Sequence, residues 1–293
     1  MIDLHLHTYY SDGTLSPFEL VKMAKERGAS VIAVTDHDGI DGVEEAVQAG
    51  AEFGIKVIPG IEFSAQLSDF LNDSPCFMHL LGYGFDIKNR ALQQAVKEIL
   101  EKRKERNEKL LSALRARGYS LEREDFQVYP QQSYIGKPNF ARGLLKRGYI
   151  SELREAFQPG EFLEAPEIKA VHRVKIDVEK AVSLIQEAGG IAILAHPMKI
   201  SYKGKAEAGQ DEFFRALENL LLCLKRTGLQ GMECYYSRHM PHQTAHLLSL
   251  ADKHGFLVSA GSDFHGPEFD KTLKIGSFTP EPEKSRLEWV YWY

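Results

Sequence analysis

Residues 2–62, IDLHLHTYYSDGTLSPFELVKMAKERGASVIAVTDHDGIDGVEEAVQAGAEFGIKVIPGIE, decide the fold of this 293-residue chain. Three short apolar runs in this stretch have the length and composition of buried strands, and two segments between them have helical periodicity. The predicted strands cover residues 2–6, 31–35 and 56–61, and the predicted helices cover residues 17–27 and 41–53. Strands and helices that alternate at such short intervals predict a parallel sheet covered by helices.

The alternation stops after residue 88, where one long and highly charged helical segment extends to about residue 117. Its run EKRKER, at residues 101–106, is typical of a helix face that points into solvent. A second helix is predicted at residues 138–147. Residues 89–165 carry little strand signal, so we expect them to form a helical insertion subdomain.

The alternation of strands and helices resumes after the insertion and completes a barrel. After the insertion, strands are predicted at residues 191–195, 229–234 and 257–260, and helices at residues 177–188, 211–226 and 239–254; one further strand, at residues 78–83, precedes it. Because the same alternation occurs on both sides of the insertion, we predict an α/β fold. In it, residues 1–88 and 166–293 form one discontinuous barrel domain.

Composition excludes several classes of function. The formal net charge of −5 argues against a broad basic surface that would bind duplex DNA or RNA. A short phosphorylated ligand remains compatible with this charge, because a metal cluster can supply positive charge locally. The three cysteines lack CxxC spacing, which indicates neither a disulfide scaffold nor a thiolate zinc site. We expect a cytoplasmic protein without membrane contacts, since no apolar run reaches about 18–20 residues; the oligomeric state stays open.

Nine potential metal ligands recur in or just beyond the predicted strands. They are His5, His7, Asp12, His37, Glu62, His79, His196, Asp263 and His265. In a closed barrel the carboxyl ends of the strands meet at one mouth, which brings such residues together. Burying so many titratable groups without a metal would leave unpaired polar groups and repelling carboxylates. The residues therefore predict a cluster of divalent ions, and imidazole with carboxylate ligands suits zinc, manganese or iron(II).

Five motifs occur in a fixed order along the chain. They are DLHLH at residues 3–7, TDHD at 35–38, GIE at 60–62, AHP at 195–197 and GSDFH at 261–265. Together they resemble the ordered motifs of the polymerase and histidinol phosphatase (PHP) family, and they span nearly the whole chain. The resemblance implies a distorted (β/α)7 barrel with three divalent ions, with Mn²⁺ as the first choice and Zn²⁺ or Fe²⁺ as alternatives.

The resemblance also implies how the nine residues share the ions. One ion takes His5, His7, Glu62 and Asp263, a second takes Glu62, His79 and His196, and a third takes Asp12, His37 and His265. All nine would act in catalysis through the bound ions, by hydrolysis of a phosphate ester with a hydroxide that bridges metals. Asp3, Asp36 and Asp38 are expected to orient the ligand histidines.

The predicted insertion and the stretch KPNFAR, at residues 137–142, resemble one bacterial branch of the family. Members of this branch remove the 3′-phosphate from 3′,5′-bisphosphonucleosides such as adenosine 3′,5′-bisphosphate (pAp), or trim short RNA from the 5′ end. The substrate implied is a small phosphorylated nucleotide or a short oligoribonucleotide. Arg142 is expected to grip a phosphate that does not react, because guanidinium binds phosphate bidentately. Lys137 and His239 are further substrate-binding candidates, although the branch often has Arg-Pro-His where this chain has Lys-Pro-Asn.

Two alternatives remain open. A histidinol-phosphate phosphatase would share the metal motifs, but the insertion with Phe140, Ala141 and Arg142 counts against it. A non-catalytic metal-binding or regulatory module would be expected to have lost ligands, and all nine positions hold a competent ligand. The remaining histidines fit no motif and are predicted to be surface or packing residues: His172, His242, His246 and His254.

Overall fold

The computed structural model describes residues 1–70, 74–130, 132–171 and 174–293. Its strands are β1 (Ile2–Leu6), β2 (Val31–Val34), β3 (Lys56–Leu67), β4 (Cys76–Tyr83), β5 (Ile176–Asp177), β6 (Ile191–Leu194), β7 (Gly231–Tyr236) and β8 (Leu257–Gly261). Its α-helices are α1 (Pro17–Glu26), α2 (Val43–Phe53), α3 (Arg90–Ala116), α4 (Arg123–Phe126), α5 (Lys137–Lys146), α6 (Pro166–Lys169), α7 (Val178–Glu187), α8 (Gln210–Arg226) and α9 (Pro241–His254). Short 3₁₀ helices cover Leu153–Phe157, Phe162–Glu164, Pro197–Lys199 and Lys284–Tyr291.

The ends of the covering helices follow from local sequence. At the start of α1 the Ser16 side chain accepts the amide hydrogen of Glu19, and the Glu19 carboxylate accepts that of Ser16. This reciprocal cap satisfies two amides that no helical carbonyl reaches. At the C-terminal end of α2, Gly54 takes a left-handed φ of 64°, which glycine adopts without a steric penalty. In the described ranges, every helix is too short or too polar to cross a membrane.

The sheet nearly closes into a barrel. Its strand order is β1-β2-β3-β4-β6-β7-β8, with the two-residue β5 paired to β3. The two ends of this order meet, because the His7 amide donates to the Phe264 carbonyl at 3.0 Å and the Asp263 amide donates to the His5 carbonyl at 2.9 Å. With helices packed outside, this architecture confirms the predicted distorted (β/α)7 barrel.

One strand runs against the rest of the barrel. β4 pairs antiparallel with both of its neighbours, β3 and β6, whereas the other pairs along the barrel are parallel. The carboxyl ends of the parallel strands therefore share a rim with the amino-terminal part of β4. His79 lies in that part of β4, opposite Ser64 of β3. The direction of β4 thus brings a mid-strand histidine to the mouth of the barrel.

The helical segment between residues 89 and 165 packs into two different hydrophobic clusters. Leu92, Val96 and Ile99, from the first half of α3, are buried in the core of the barrel. From Leu110 onward, α3 packs instead with a second cluster that extends to Ile168. The described residues between 89 and 165 contain helices and no strand. The predicted domain boundaries at 88/89 and 165/166 stay a prediction.

The prediction of a fully solvated charged run in α3 is wrong for two of its members. Arg103 and Arg106 are only 4% and 6% exposed, whereas Lys102 and Glu105 are exposed as predicted. Residues three apart share one face of a helix. In α3 that face lies over the mouth of the barrel, so the two arginines point inward rather than into solvent.

Candidate functional site

The nine predicted ligands lie together at the rim of the barrel. Eight come from the parallel strands or from the loops that follow them, and His79 comes from β4. Seven of the nine line one cleft of about 760 Å³. His5 and His7 lie deeper, and their side chains are fully buried beneath it. A barrel thus gathers residues that are up to 260 positions apart in the chain.

The Glu62 carboxylate is the centre of this cluster. It is fully buried, and five imidazole nitrogens lie within 3.3 Å of its two oxygens. The distances from Oε2 are 3.3 Å to His5 Nε2, 3.3 Å to His7 Nε2 and 2.9 Å to His37 Nδ1. The distances from Oε1 are 2.8 Å to His79 Nδ1 and 3.0 Å to His196 Nε2. One carboxylate therefore links five histidines from four different parts of the chain.

Two aspartates complete the cluster. Asp263 Oδ1 lies 3.4 Å from His5 Nε2 and 3.2 Å from His7 Nε2. Asp12 Oδ1 lies 3.2 Å from His265 Nε2. Asp263 Oδ1 also lies 3.7 Å from His265 Nδ1, so both aspartates approach the same histidine.

Potential ligand atoms fall into three overlapping groups, within each of which all atoms lie within 4.8 Å of one another. The groups are His5, His7, Glu62 and Asp263; His7, Asp12, His37 and His265; and His37, Glu62 and His79. The first matches the predicted set for one ion, and the second adds His7 to another predicted set. In the third group His37 stands where His196 was expected, although His196 also contacts Glu62. The assignment of particular residues to particular ions stays a prediction.

Buried polar atoms at the centre of the cluster fit divalent cations. They are His5 Nε2, His7 Nε2, His37 Nδ1, Asp12 Oδ1 and Glu62 Oε2, and within the described part of the chain none makes a hydrogen bond of good geometry. An unsatisfied buried polar atom costs about 1–3 kcal/mol, and such atoms seldom occur together. A cation that accepts lone pairs from all of them would remove this penalty.

The protonation of the cluster follows from burial and from mutual proximity. Burial and the nearby His265 lower the pKa of His7 to about 3, so this imidazole is neutral at pH 7. Burial and Lys199 likewise lower the pKa of His196 to about 3. Burial would raise the pKa of Glu62, but the surrounding imidazoles outweigh it and hold that pKa well below its usual range. Neutral imidazole and ionised carboxylate are the forms that bind metal ions.

Glu233 is a buried acid that the sequence analysis missed. Its Oε1 lies 3.0 Å from His5 Nδ1, and its Oε2 accepts the backbone amide of His196 at 2.7 Å. The His5 Nδ1–H thus donates to Glu233, which leaves Nε2 to face the cluster. Next to the Glu233 carboxylate only glycine fits at position 261, because a Cβ there would collide with His5 and Glu233. The sequence carried one signal for this residue: an acid between two apolar residues of a predicted strand.

The three aspartates predicted to orient the ligand histidines contact mainly the backbone around them. Asp36 accepts the Thr8 amide at 2.8 Å, and Asp38 accepts the Ser64 amide at 2.7 Å. Asp3 likewise accepts backbone amides, including one 2.9 Å away in the loop after β8. Their role in orienting the histidines stays a prediction. They hold the loops that carry the histidines.

Backbone strain also concentrates at this rim. Asp38, His196 and Asp263 adopt positive φ angles of 50°, 25° and 58°. Such conformations cost a non-glycine residue of the order of 1–3 kcal/mol and persist where surrounding contacts hold them. The Asp38 amide, for example, donates to the Glu62 carbonyl at 2.9 Å. Strain of this kind is common where side chains must be aimed at a ligand.

Arg142, the predicted phosphate grip, contacts the loop of a potential metal ligand. Its guanidinium donates to the backbone carbonyl of Asp12 and lies 5.7 Å above the Phe269 ring. Burial lowers the pKa of Arg142, but from so high a starting value that the side chain stays charged. In this position the arginine supports the Asp12 loop, and its contact with substrate stays a prediction.

The other two substrate candidates lie at different depths. Lys137 lines the cleft, and its ammonium group donates to Glu164 Oε1 and to the Leu163 carbonyl, both at 2.7 Å. His239 is buried behind the cluster, where Nδ1–H donates to the Cys234 carbonyl at 3.1 Å. Burial lowers the pKa of His239 to about 4. Neither role in substrate binding is tested by these contacts.

The cleft is far more cationic than the net charge of the chain indicates. Beyond Lys137 it is lined by Arg103, Arg106, Lys169, Lys175, Lys199 and Arg238. Lys199 Nζ lies 2.9 Å from Asp263 Oδ2, and the Tyr236 hydroxyl donates to the same oxygen at 2.8 Å. These cations belong to separate helices and loops that meet only in the folded chain, so no local sequence pattern predicts the cationic cleft.

The histidines that fit no motif lie away from the cluster. His242 is exposed, and His246 stacks on Phe214 with ring centroids 3.8 Å apart. His254 contacts Glu218 on the surface at 2.7 Å. His172 lies outside the described residues. The three described histidines are surface or packing residues, as predicted.

Comparison with known proteins gives matches along almost the entire chain. The model of the PHP domain matches residues 3–153. A 5′-3′ exoribonuclease of Haemophilus influenzae is 34% identical over 96% of this chain and 98% of its own length. A 3′,5′-nucleoside bisphosphate phosphatase of Chromobacterium violaceum is 32% identical over 91% of this chain and 87% of its own length. The matches therefore include both the barrel and the helical segment.

A solved structure supports the same relationship. A candidate metal-dependent phosphoesterase of Bifidobacterium adolescentis superposes with a TM-score of 0.78. It is 25% identical in sequence, and the alignment covers 99% of this chain and 94% of that one. The likeness thus extends to the fold as well as to the sequence.

Replacing Glu233 tests whether it positions His5 for metal binding. In E233Q one of the two donors, His5 Nδ1–H or the His196 amide, would face an amide NH₂ group instead of an acceptor. We expect the affinity for Mn²⁺ to fall about 10- to 100-fold. The measurement is the Mn²⁺ concentration that gives half of the maximal phosphoesterase activity.

The matched control is E218Q, which alters another glutamate in contact with a histidine, His254, but on the surface. It should keep the affinity of the wild type. Equal Mn²⁺ affinity in E233Q and E218Q would show that Glu233 does not position a ligand.

Proposed function

Because the chain belongs to the PHP domain family, we propose that this metal-dependent phosphoesterase acts on nucleotides. Its principal reaction is removal of the 3′-phosphate from 3′,5′-bisphosphonucleosides such as pAp. The observation that carries the proposal is the convergence of buried, unsatisfied ligand atoms at the base of a cationic cleft. Such a cleft can hold a substrate with more than one phosphate, although the whole chain is acidic.

The residues that would hold the ions are the nine of the cluster. Glu62 links the groups, since its two oxygens face histidines on different sides. Three Mn²⁺ ions remain our assignment, with Zn²⁺ or Fe²⁺ as alternatives. When bound, divalent ions lower the pKa of attached water and stabilise the charge on phosphoryl oxygens.

The side chains around the cluster supply binding and orientation. Glu233 keeps His5 in one tautomer, while Lys199 and Tyr236 hold the outer oxygen of Asp263. The cationic walls attract the phosphates and exclude uncharged competitors. A cysteine nucleophile is not needed, and burial raises the pKa of Cys76 to about 12, so it stays a thiol.

A second candidate activity is trimming of short RNA from its 5′ end. The Haemophilus relative named as a 5′-3′ exoribonuclease shares 34% identity with nearly the full chain. The cleft also carries cations from α3, α6 and the loop after β6, which could follow an RNA backbone beyond the reacting phosphate. Histidinol phosphate, the substrate of the alternative histidinol-phosphate phosphatase, has no second phosphate that these cations could bind.

Removing a ligand of the cluster tests the site itself. We expect H37A or D263N to lower kcat/KM for p-nitrophenyl phosphate with Mn²⁺ by at least about 100-fold, because each removes an atom from the shared cluster. H242A, which removes an exposed histidine of α9, is the control and should keep full activity. If H37A and D263N were as active as H242A, the site would lie elsewhere.

A panel of substrates tests the proposed chemistry. The rates of phosphate or nucleotide release would be compared for pAp, histidinol phosphate and 5′-phosphorylated oligoribonucleotides. We expect pAp or RNA to exceed histidinol phosphate in kcat/KM by at least about 10-fold, because only they can use the cationic walls. A preference for histidinol phosphate would refute the nucleotide assignment and leave the metal cluster intact.

A further inference from the structure

Two buried arginines on α3 face the cleft although neither belongs to the metal cluster. Arg103 and Arg106 both line the cleft and are 4% and 6% exposed. Spaced three apart, they lie next to each other on one helix face. Burying two guanidinium groups side by side is costly unless anions compensate for their charge. Their placement therefore requires a physical reason.

Arg103 is fixed in position relative to the histidine cluster. It forms an ion pair with Asp38, and its guanidinium lies 4.2 Å from the centre of the Tyr134 ring. Tyr134 in turn stacks on His37, with centroids 5.3 Å apart. The Nε–H of Arg103 is buried and has no hydrogen-bond partner among residues 1–70, 74–130, 132–171 and 174–293. A pre-positioned donor is thus linked to a predicted metal ligand, His37, through the Tyr134 ring.

Arg106 is oriented by its neighbour on the helix. Its Nη1 donates to Asn107 Oδ1 at 2.7 Å, and the Asn107 amide group donates to the Ile135 carbonyl at 3.0 Å. This chain of contacts ties α3 to the segment that carries Tyr134. The positions of both arginines are therefore set by the same two parts of the insertion.

The other cations of the cleft already serve groups of the protein. Lys137 and Lys169 share the carboxylate of Glu164, at 2.7 and 3.2 Å. Lys199 lies 2.9 Å from Asp263, a member of the cluster. These contacts make the lysines weaker candidates for holding substrate. A guanidinium pair offers several donors in a geometry that matches phosphate oxygens, even when some of them contact the protein.

We propose that Arg103 and Arg106 form a binding site for a phosphate of the substrate that is not hydrolysed. This inference rests on the proposed function and specifies it further. The bound group is either the 5′-phosphate of a bisphosphonucleoside or a backbone phosphate of a short RNA. Arg142, the phosphate grip predicted from the sequence, contacts the Asp12 loop and is not part of the proposed pair.

R106Q is the decisive variant, because it removes one cation and leaves the Arg103–Asp38 pair in place. We expect kcat/KM for pAp to fall about 10- to 100-fold, the usual cost of losing a charge-assisted contact with phosphate. For p-nitrophenyl phosphate, which has one phosphate, the change should stay within about threefold. K102Q removes an exposed cation of the same helix and should leave both rates unchanged.

Inhibition by 5′-AMP tests the site without turnover of a nucleotide. Measured against p-nitrophenyl phosphate, its inhibition constant should rise about 10-fold or more in R106Q and stay unchanged in K102Q. R103K keeps a charge opposite Asp38 but loses the planar donors, so it should also raise the inhibition constant of 5′-AMP. Equal loss of p-nitrophenyl phosphate hydrolysis and of 5′-AMP binding in R106Q would indicate a structural role and overturn the proposal. An unchanged inhibition constant would also overturn it.

The two sources of phosphate are distinguished with oligoribonucleotides that carry either a 5′-phosphate or a 5′-hydroxyl. If R106Q impairs only the phosphorylated form, the site binds a terminal phosphate; if it impairs both, the site binds the backbone. Failure of the proposed function would look different. In that case wild-type enzyme would prefer histidinol phosphate over pAp, while the effect of R106Q on 5′-AMP would still report on the arginine pair.

Discussion

The buried carboxylate of Glu62 is the constraint on which the rest of the site depends. No solvent reaches it, and five imidazole nitrogens lie within 3.3 Å of its oxygens. A buried anion is stable only when its surroundings supply positive charge, from protonated imidazoles or from metal ions. Burial keeps His7 neutral at pH 7, whereas for His5 and His37 the nearby carboxylates outweigh burial and raise the pKa. Divalent ions would replace the protons on those rings and supply the same compensation.

The same constraint explains features that otherwise look costly. Glu233 is buried to fix one histidine, Gly261 leaves room for that contact, and Asp263 is held at a positive φ. Each feature reduces the freedom of a side chain that faces Glu62. Proteins accept such local costs where a ligand must be bound in a defined geometry. The cationic walls of the cleft would compensate the negative charge of the substrate in the same way.

Sequence patterns were sufficient for the parts of the site that local geometry controls. His5 and His7 lie two apart on a strand and therefore share a face, and the strand ends of a barrel must converge. The position of His79 at the rim depends on the antiparallel direction of β4, which only its pairing with β3 and β6 establishes. Arg103 and Arg106 sit in a run that is typical of solvent exposure. Their burial depends on where α3 crosses the barrel, a tertiary fact that no local pattern encodes.

The most direct test of the account is anomalous diffraction from a crystal grown with Mn²⁺ and measured at the manganese edge. The account predicts about three strong peaks around Glu62, each within bonding distance of imidazole nitrogens and carboxylate oxygens. An anomalous map without peaks at the cluster, or with His5, His37 and His265 turned away from one another, would contradict it.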